Sequence, residues 1–266
     1  VKAMYIIGLP TDNKKTFAPI ISELLDTSYF FGELWLDGSI KRVVWLLPSV
    51  LAAQKSHKLS FFVPEENVPE LSAIPWITIY GLKDFAQFID RYNGKIEITP
   101  HQGGKYVYAK QEKQQDSHGV NFSDIKGHEI LKRALTIAAA WMHNVLMCWP
   151  PGSGKTLLAK ATASILPPLQ FNEVLEVSQI YSVIGALNEE QPLIRYRAFR
   201  SVHHTASKVA IVGWWQQLTP WEVSLAHKGI LFFDELPEFP REVLEVLRQP
   251  LENKESSPGA DGTQTV

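Results

Sequence analysis

Apolar and polar positions along the 266 residues fall into short alternating or helical runs separated by turn residues. In the first hundred residues, Met4 to Gly8 and Tyr29 to Leu36 read as strands, the second closed by the Asp37-Gly38 turn signal. Leu46 to Ala53 reads as a helix, Leu59 to Val63 as a strand ended by Pro64, and Ile77 to Tyr80 as another strand. Asp84 to Tyr92 sets Phe85, Phe88 and Ile89 on one helical face, and Asn93-Gly94 stops it. Residues 99–120 then lose apolar content beyond Tyr106 to Tyr108 and read as a solvated linker. His101 and His118 sit in it as isolated polar residues and are assigned no role.

A second run of elements begins near Asn121. Asp124-Ile125-Lys126-Gly127 leads into a helix from about His128 to Met142, striped by Ile130, Leu131, Ala134, Leu135 and Ala138. Asn144 to Cys148 reads as an apolar strand and Leu157 to Ile165 as a helix ended by Pro167-Pro168. Residues 173–186 are again helical in pattern. Ile230 to Phe233 is a buried-strand pattern ending in Asp234-Glu235, and Pro240 to Leu251 a helix with Val243, Leu244 and Leu247 inward. The chain from Lys254 onward is rich in Ser, Pro, Gly and Thr and reads as a frayed tail.

Candidate chemistry sits at two junctions of this pattern. Trp149-Pro150-Pro151-Gly152-Ser153-Gly154-Lys155-Thr156 lies between a predicted strand and a predicted helix, the context of a phosphate-binding loop. Pro151 to Leu157 would bind nucleotide, with the N–H groups of Gly152, Ser153 and Gly154 as the phosphate cradle. Lys155 would reach the β/γ-phosphates as a catalytic cation, and Thr156 would ligate Mg²⁺. The pattern G-x-x-x-x-G-K-[ST] asks for Gly at 149, where this chain has Trp. Asp234 and Glu235 stand at the carboxyl end of a predicted parallel strand, where such sheets carry ligands. Asp234 would hold Mg²⁺ and Glu235 would polarise the attacking water.

Composition narrows the surroundings. Apolar residues make up 45% and charged ones 20%, a globular balance. With 26 basic and 28 acidic residues, a nucleic-acid surface would have to be local. One cysteine, Cys148, rules out an internal disulfide framework, and no run suits a signal peptide or membrane span; a soluble cytoplasmic protein is expected. Arg195, Arg197, Arg200 and Lys208 form a stretch without acids. It fits both a basic loop packed on neighbouring carboxylates and a nucleic-acid or inter-subunit contact. His203-His204 lacks the spacing of a metal site.

Three stretches carry a resemblance: His143 to Met147 running into the loop, Val202-His203-His204-Thr205, and Glu222 to Phe239. Together they resemble the YifB/ComM family of magnesium-chelatase-like AAA+ ATPases. Phe31 to Leu34, Asp37 to Ser39 and Leu47 to Ala53 are similar to that family's Lon-protease-like domain. The resemblance implies an α/β protein. Residues 1–98 would be a Lon-like domain of ribosomal-protein-S5 domain-2-like fold, and 99–120 a linker. Residues 121–254 would be a P-loop AAA+ parallel-sheet core truncated at its C-terminus, and 255–266 a disordered tail. It further implies ATP and Mg²⁺ as cofactors and self-association into a hexameric ring. The motor would act on single-stranded or branched DNA, as a branch-migration helicase in natural transformation. A metal-chelatase motor subunit acting on a protein partner and a non-catalytic nucleotide-binding fragment are the alternatives. No peptidase activity is expected, because the catalytic lysine of Lon proteases would fall near Leu47 and the segment that would carry their nucleophilic serine is missing.

Three departures from the family pattern stand out. The segment between Pro10 and Tyr29 is short. The sensor-1 strand, arginine finger and helical lid are absent after the last helix, so a gene fragment with weak hydrolysis is expected. All eight tryptophans (Trp35, Trp45, Trp76, Trp141, Trp149, Trp214, Trp215 and Trp221) stand where the family commonly has glycine. Since UGA encodes glycine in some bacterial lineages and tryptophan in others, translation with the wrong code accounts for them better than eight independent losses.

Overall fold

A computed structural model describes residues 28–53, 60–104, 120–148, 150, 154–187, 191–203, 222–245 and 247. The strand expected at Met4 to Gly8 and the tail from 255 lie outside the described residues. The chain divides into two units: Val1–Gln111 with Tyr181–Ile194, and Glu112–Ile180 with Arg195–Val266.

In the first unit, β1 (Ser28–Phe30) is followed by a hairpin of β2 (Glu33–Leu34) and β3 (Ile40–Lys41). Then come α1 (Leu46–Ala53), β4 (Ser60–Pro64), α2 (Val68–Leu71), β5 (Thr78–Leu82), α3 (Phe85–Tyr92) and β6 (His101–Gln102). The sheet order is β1-β4-β5-β6, with β1, β4 and β5 parallel and β6 antiparallel to β5. Parallel neighbours bury both faces, which is why β4 reads as a continuous apolar run, Phe61, Phe62 and Val63, all buried. One face meets α3 through Phe62, Leu82 and Phe88, with Phe30, Tyr80 and Phe85 packed alongside. Asp84 caps α3 by accepting from Gln87 N–H at 2.7 Å. α1 buries Leu46, Leu47 and Val50 completely, each worth about 1.5–3 kcal/mol of burial.

Two expectations for this unit change. The single strand expected from Tyr29 to Leu36 is two, because Phe31 N–H still pairs with Phe62 O at 2.9 Å while Glu33 and Leu34 turn to pair with β3. The linker expected from 99 begins later: β6 pairs His101 with Ile79, and Gly103 and Gly104 donate to Ile77 O and Ser72 O. These bonds are main-chain, so a polar composition does not exclude them.

In the second unit, α4 (Glu129–Trp141) precedes α5 (Lys155–Thr162), α6 (Phe171–Val183), β7 (Phe199–Val202), α7 (Glu222–Leu225) and β8 (Ile230–Phe233). Ile125, Leu135, Leu158 and Ala161 form one core cluster. Val202, Phe239, Val243 and Leu247 form another, with Leu231 and Phe233 packed on it. β7 and β8 pair in parallel, Phe199 opposite Ile230 through Val202 opposite Phe233. The strand expected at Asn144 to Cys148 is not formed. That stretch has no ladder among the described residues, and Val145 and Leu146 are exposed. An apolar run becomes a strand only beside a partner that takes its backbone hydrogen bonds.

α6 begins in the second unit, but its last turn and the chain to Ile194 belong to the first. Ser182 Oγ donates to the buried Glu70 carboxylate at 2.6 Å, and Trp45 N–H faces Ser182 O. Asn67, fully buried, donates to that same carboxylate and to Val43 O, and accepts from Val43 N–H. The Arg42 guanidinium donates to Leu187 O. A polar network of this kind fixes the segment's position rather than adding much net stability.

Candidate nucleotide site

Gly154 is the hinge between loop and helix. Its φ of +80° and ψ of 19° place it in left-handed backbone, free for glycine and strained for other residues. From there Lys155 starts α5, and Leu158 N–H takes up Gly154 O at 3.0 Å. The first turn therefore presents main-chain N–H groups without helical partners, the feature that binds anions. Lys155 Nζ donates to Pro150 O at 3.4 Å, across the mouth of the loop. Trp149, Pro151, Gly152 and Ser153 lie outside the described residues.

Asp234 reaches this loop from the far end of β8. Gly229 lets β8 start tight against β7: an added Cβ would stand 2.2 Å from Ala198 O, and Ile230 N–H donates to that oxygen at 2.7 Å. The register then carries Phe233 opposite Val202, and the next residue emerges beside α5. Thr156 Oγ1 lies 3.4 Å from Asp234 Oδ2, across 78 residues of sequence. Two oxygens on one octahedral Mg²⁺ stand about 3 Å apart, so a hydroxyl and a carboxylate at this separation suit that hard cation. No group of three or more metal-ligating side chains occurs among the described residues, so water and phosphate oxygens would complete such a shell. Glu235 follows in left-handed backbone (φ 56°, ψ 50°) and is exposed.

A cleft of about 350 Å³ adjoins Lys155. Ile125, Leu131, Met147 and Leu157 supply apolar wall, and Asp124 and Lys126 supply polar groups. Small-molecule sites fall at roughly 300–1,000 Å³ with this mixture of lining. In sequence, 124–127 reads only as the lead into a helix. The signal was Gly127, whose φ of +73°, with His128 also left-handed, folds that lead back over α5's first turn.

Behind the strand lies a charge network. Arg197, 9% exposed, donates to Lys228 O at 2.6 Å and to Pro167 O, and pairs with Glu173 at 3.4 Å. Lys228 also reaches Glu173 and Glu176, and His227 Nε2 lies 3.1 Å from Glu176 Oε2. Burial pushes the Glu176 carboxyl up, but hydrogen bonds and charge from His227 and Lys228 outweigh it and hold it below its ordinary value. Arg200 forks onto Glu222, both bonds at 2.6 Å. Of the basic stretch, then, Arg197 and Arg200 are packed on carboxylates; His204 to Lys208 lie outside the described residues.

Residues 121–257 match the family described as magnesium chelatase, subunit ChlI. The chain belongs to the YifB/ComM magnesium-chelatase-like family. It is 37% identical over 240 residues to the competence protein ComM of Haemophilus influenzae, covering 88% of this chain and 46% of that protein. It is 37% identical over 233 residues to YifB of Escherichia coli, covering 86% and 44%. An uncharacterized protein of Mycobacterium tuberculosis is 36% identical over 234 residues, covering 88% and 45%. The chain spans a little under half the length of these relatives. Among the described residues, no helix is long and apolar enough to cross a membrane.

Proposed function

We propose that this chain binds Mg·ATP between the Gly154–Leu157 turn and Asp234, and is the nucleotide-handling part of an ATPase. The observation that carries this reading is the approach of Thr156 Oγ1 and Asp234 Oδ2 to 3.4 Å. It supports the reading because a phosphate-transfer site needs a loop hydroxyl and a strand-end carboxylate close together. The N–H groups opening α5, with Gly152 and Ser153, would hold the β- and γ-phosphates, and Lys155 would leave Pro150 O to neutralise them. The cleft of Ile125, Leu131 and Met147 would take the nucleoside. Thr156 and Asp234 would hold Mg²⁺, which when bound neutralises charge on the transferring phosphoryl group. Glu235 would hold the attacking water and accept its proton.

The larger machine remains a proposal built on relatives. The Haemophilus protein is named a competence protein, which supports a DNA-acting motor assembled as a hexameric ring. The finer assignment of the first unit to a Lon-like fold rests on sequence resemblance. Arg197 and Arg200, already paired, are not where DNA would bind. ATP turnover by the full-length protein, with and without single-stranded or branched DNA, tests the reading. Stimulation by DNA is expected, and Glu235→Gln should lower turnover about 10²–10⁴-fold while leaving ATP affinity intact. Turnover indifferent to DNA would favour a motor acting on a protein partner, and full activity in Glu235→Gln would remove that residue from the mechanism.

A further inference from the structure

We propose that position 45, and with it positions 35, 76, 141 and 149, is glycine in the protein as its own cell makes it, through UGA codons read there as glycine. The backbone at Trp45 carries the inference. Five non-glycine residues have positive φ among the described residues, and four of them, His128, Met142, Lys228 and Glu235, lie between 54° and 59°. The six positive-φ glycines span 67° to 94°. Trp45, at 69°, has the largest φ and the bulkiest side chain of these five. Left-handed backbone suits glycine best and Asn, Asp or His next; a bulky aromatic there is an outlier. Its surroundings leave no slack, since Trp45 N–H faces Ser182 O and its own carbonyl accepts from both Ser49 N–H and Ser49 Oγ.

A second observation is independent of backbone angle. All four described tryptophans are exposed: Trp35 by 54%, Trp45 by 39%, Trp76 by 38% and Trp141 by 74%. Tryptophan carries more apolar surface than any other residue and is on average highly buried. The same chain buries Phe61, Phe62 and Phe88 almost completely, so its cores do recruit aromatics where aromatics belong. The exposed indoles sit instead at junctions: Trp35 at the β2–β3 turn, Trp45 just before α1, Trp76 just before β5, and Trp141 at the end of α4. Such junctions are where glycine is used. Only position 149 leans on the nucleotide reading, through the first glycine of the phosphate-loop pattern.

The test is peptide mass spectrometry of the protein isolated from its own cells, over the peptides spanning 45 and 141, beside the coding DNA. Glycine masses over UGA codons are expected at both positions. Tryptophan masses there, whatever the codon, overturn the proposal. Neither result depends on whether the chain binds nucleotide.

Discussion

Trp45 and Thr156 show how much a single side chain decides here. At Trp45, left-handed backbone costs a bulky residue about 1–2 kcal/mol, while glycine widens the unfolded ensemble by about 0.4–1 kcal/mol. The first effect exceeds the second, but the indole is only 39% exposed, so glycine also gives up on the order of 2–4 kcal/mol of apolar burial. Expressed under the standard code, W45G should therefore lose roughly 1–2 kcal/mol in denaturant unfolding; unchanged or raised stability would show that backbone strain outweighs the packing of the indole. The Thr156–Asp234 approach was legible as two motifs in the sequence, since each residue type has few other uses at its position. Their separation was not, because 78 residues of intervening chain say nothing about distance. The cleft beside Lys155 was hidden for a related reason: Ile125 and Met147 are ordinary apolar residues until Gly127 turns one over the other's neighbours.

At the scale of elements, the charge network ties α6 to the turn that starts β8. Glu176 is held below its ordinary value of 4.5, so its contribution is present above that value and is lost as pH falls through the lowered one. Its side chain is 48% exposed, and solvent screening keeps the pairing at about 0.2–1 kcal/mol. Urea unfolding of the native chain and Glu176→Gln should therefore differ by that amount at neutral pH and converge only once the pH falls below the lowered value. A difference that persists in acid would mean that Glu176 acts through packing. Helices were the elements most legible from sequence, because their signals are local. α1 spans Leu46–Ala53 as expected, and α3 starts on the capping aspartate that its sequence offers. Asn144 to Cys148 has strand composition but no partner among the described residues, and β6 has partners without strand composition. In both cases the ladder, a non-local quantity, decides.

For the whole molecule, sequence order and spatial grouping part company at Tyr181–Ile194, which joins the first unit through Ser182, Glu70 and Arg42. No periodicity could show this, since the bonds cross more than a hundred residues. The second unit nevertheless holds every candidate nucleotide residue, from Asp124 to Glu235. ATP binding by that unit through α5's first turn is therefore the central claim. The most direct measurement is an equilibrium titration of the full-length protein with a fluorescent ATP analogue and Mg²⁺, beside Lys155→Ala. Saturable binding that weakens at least tenfold, about 1.4 kcal/mol, in the variant is expected. Equal affinity in the two proteins would contradict the site.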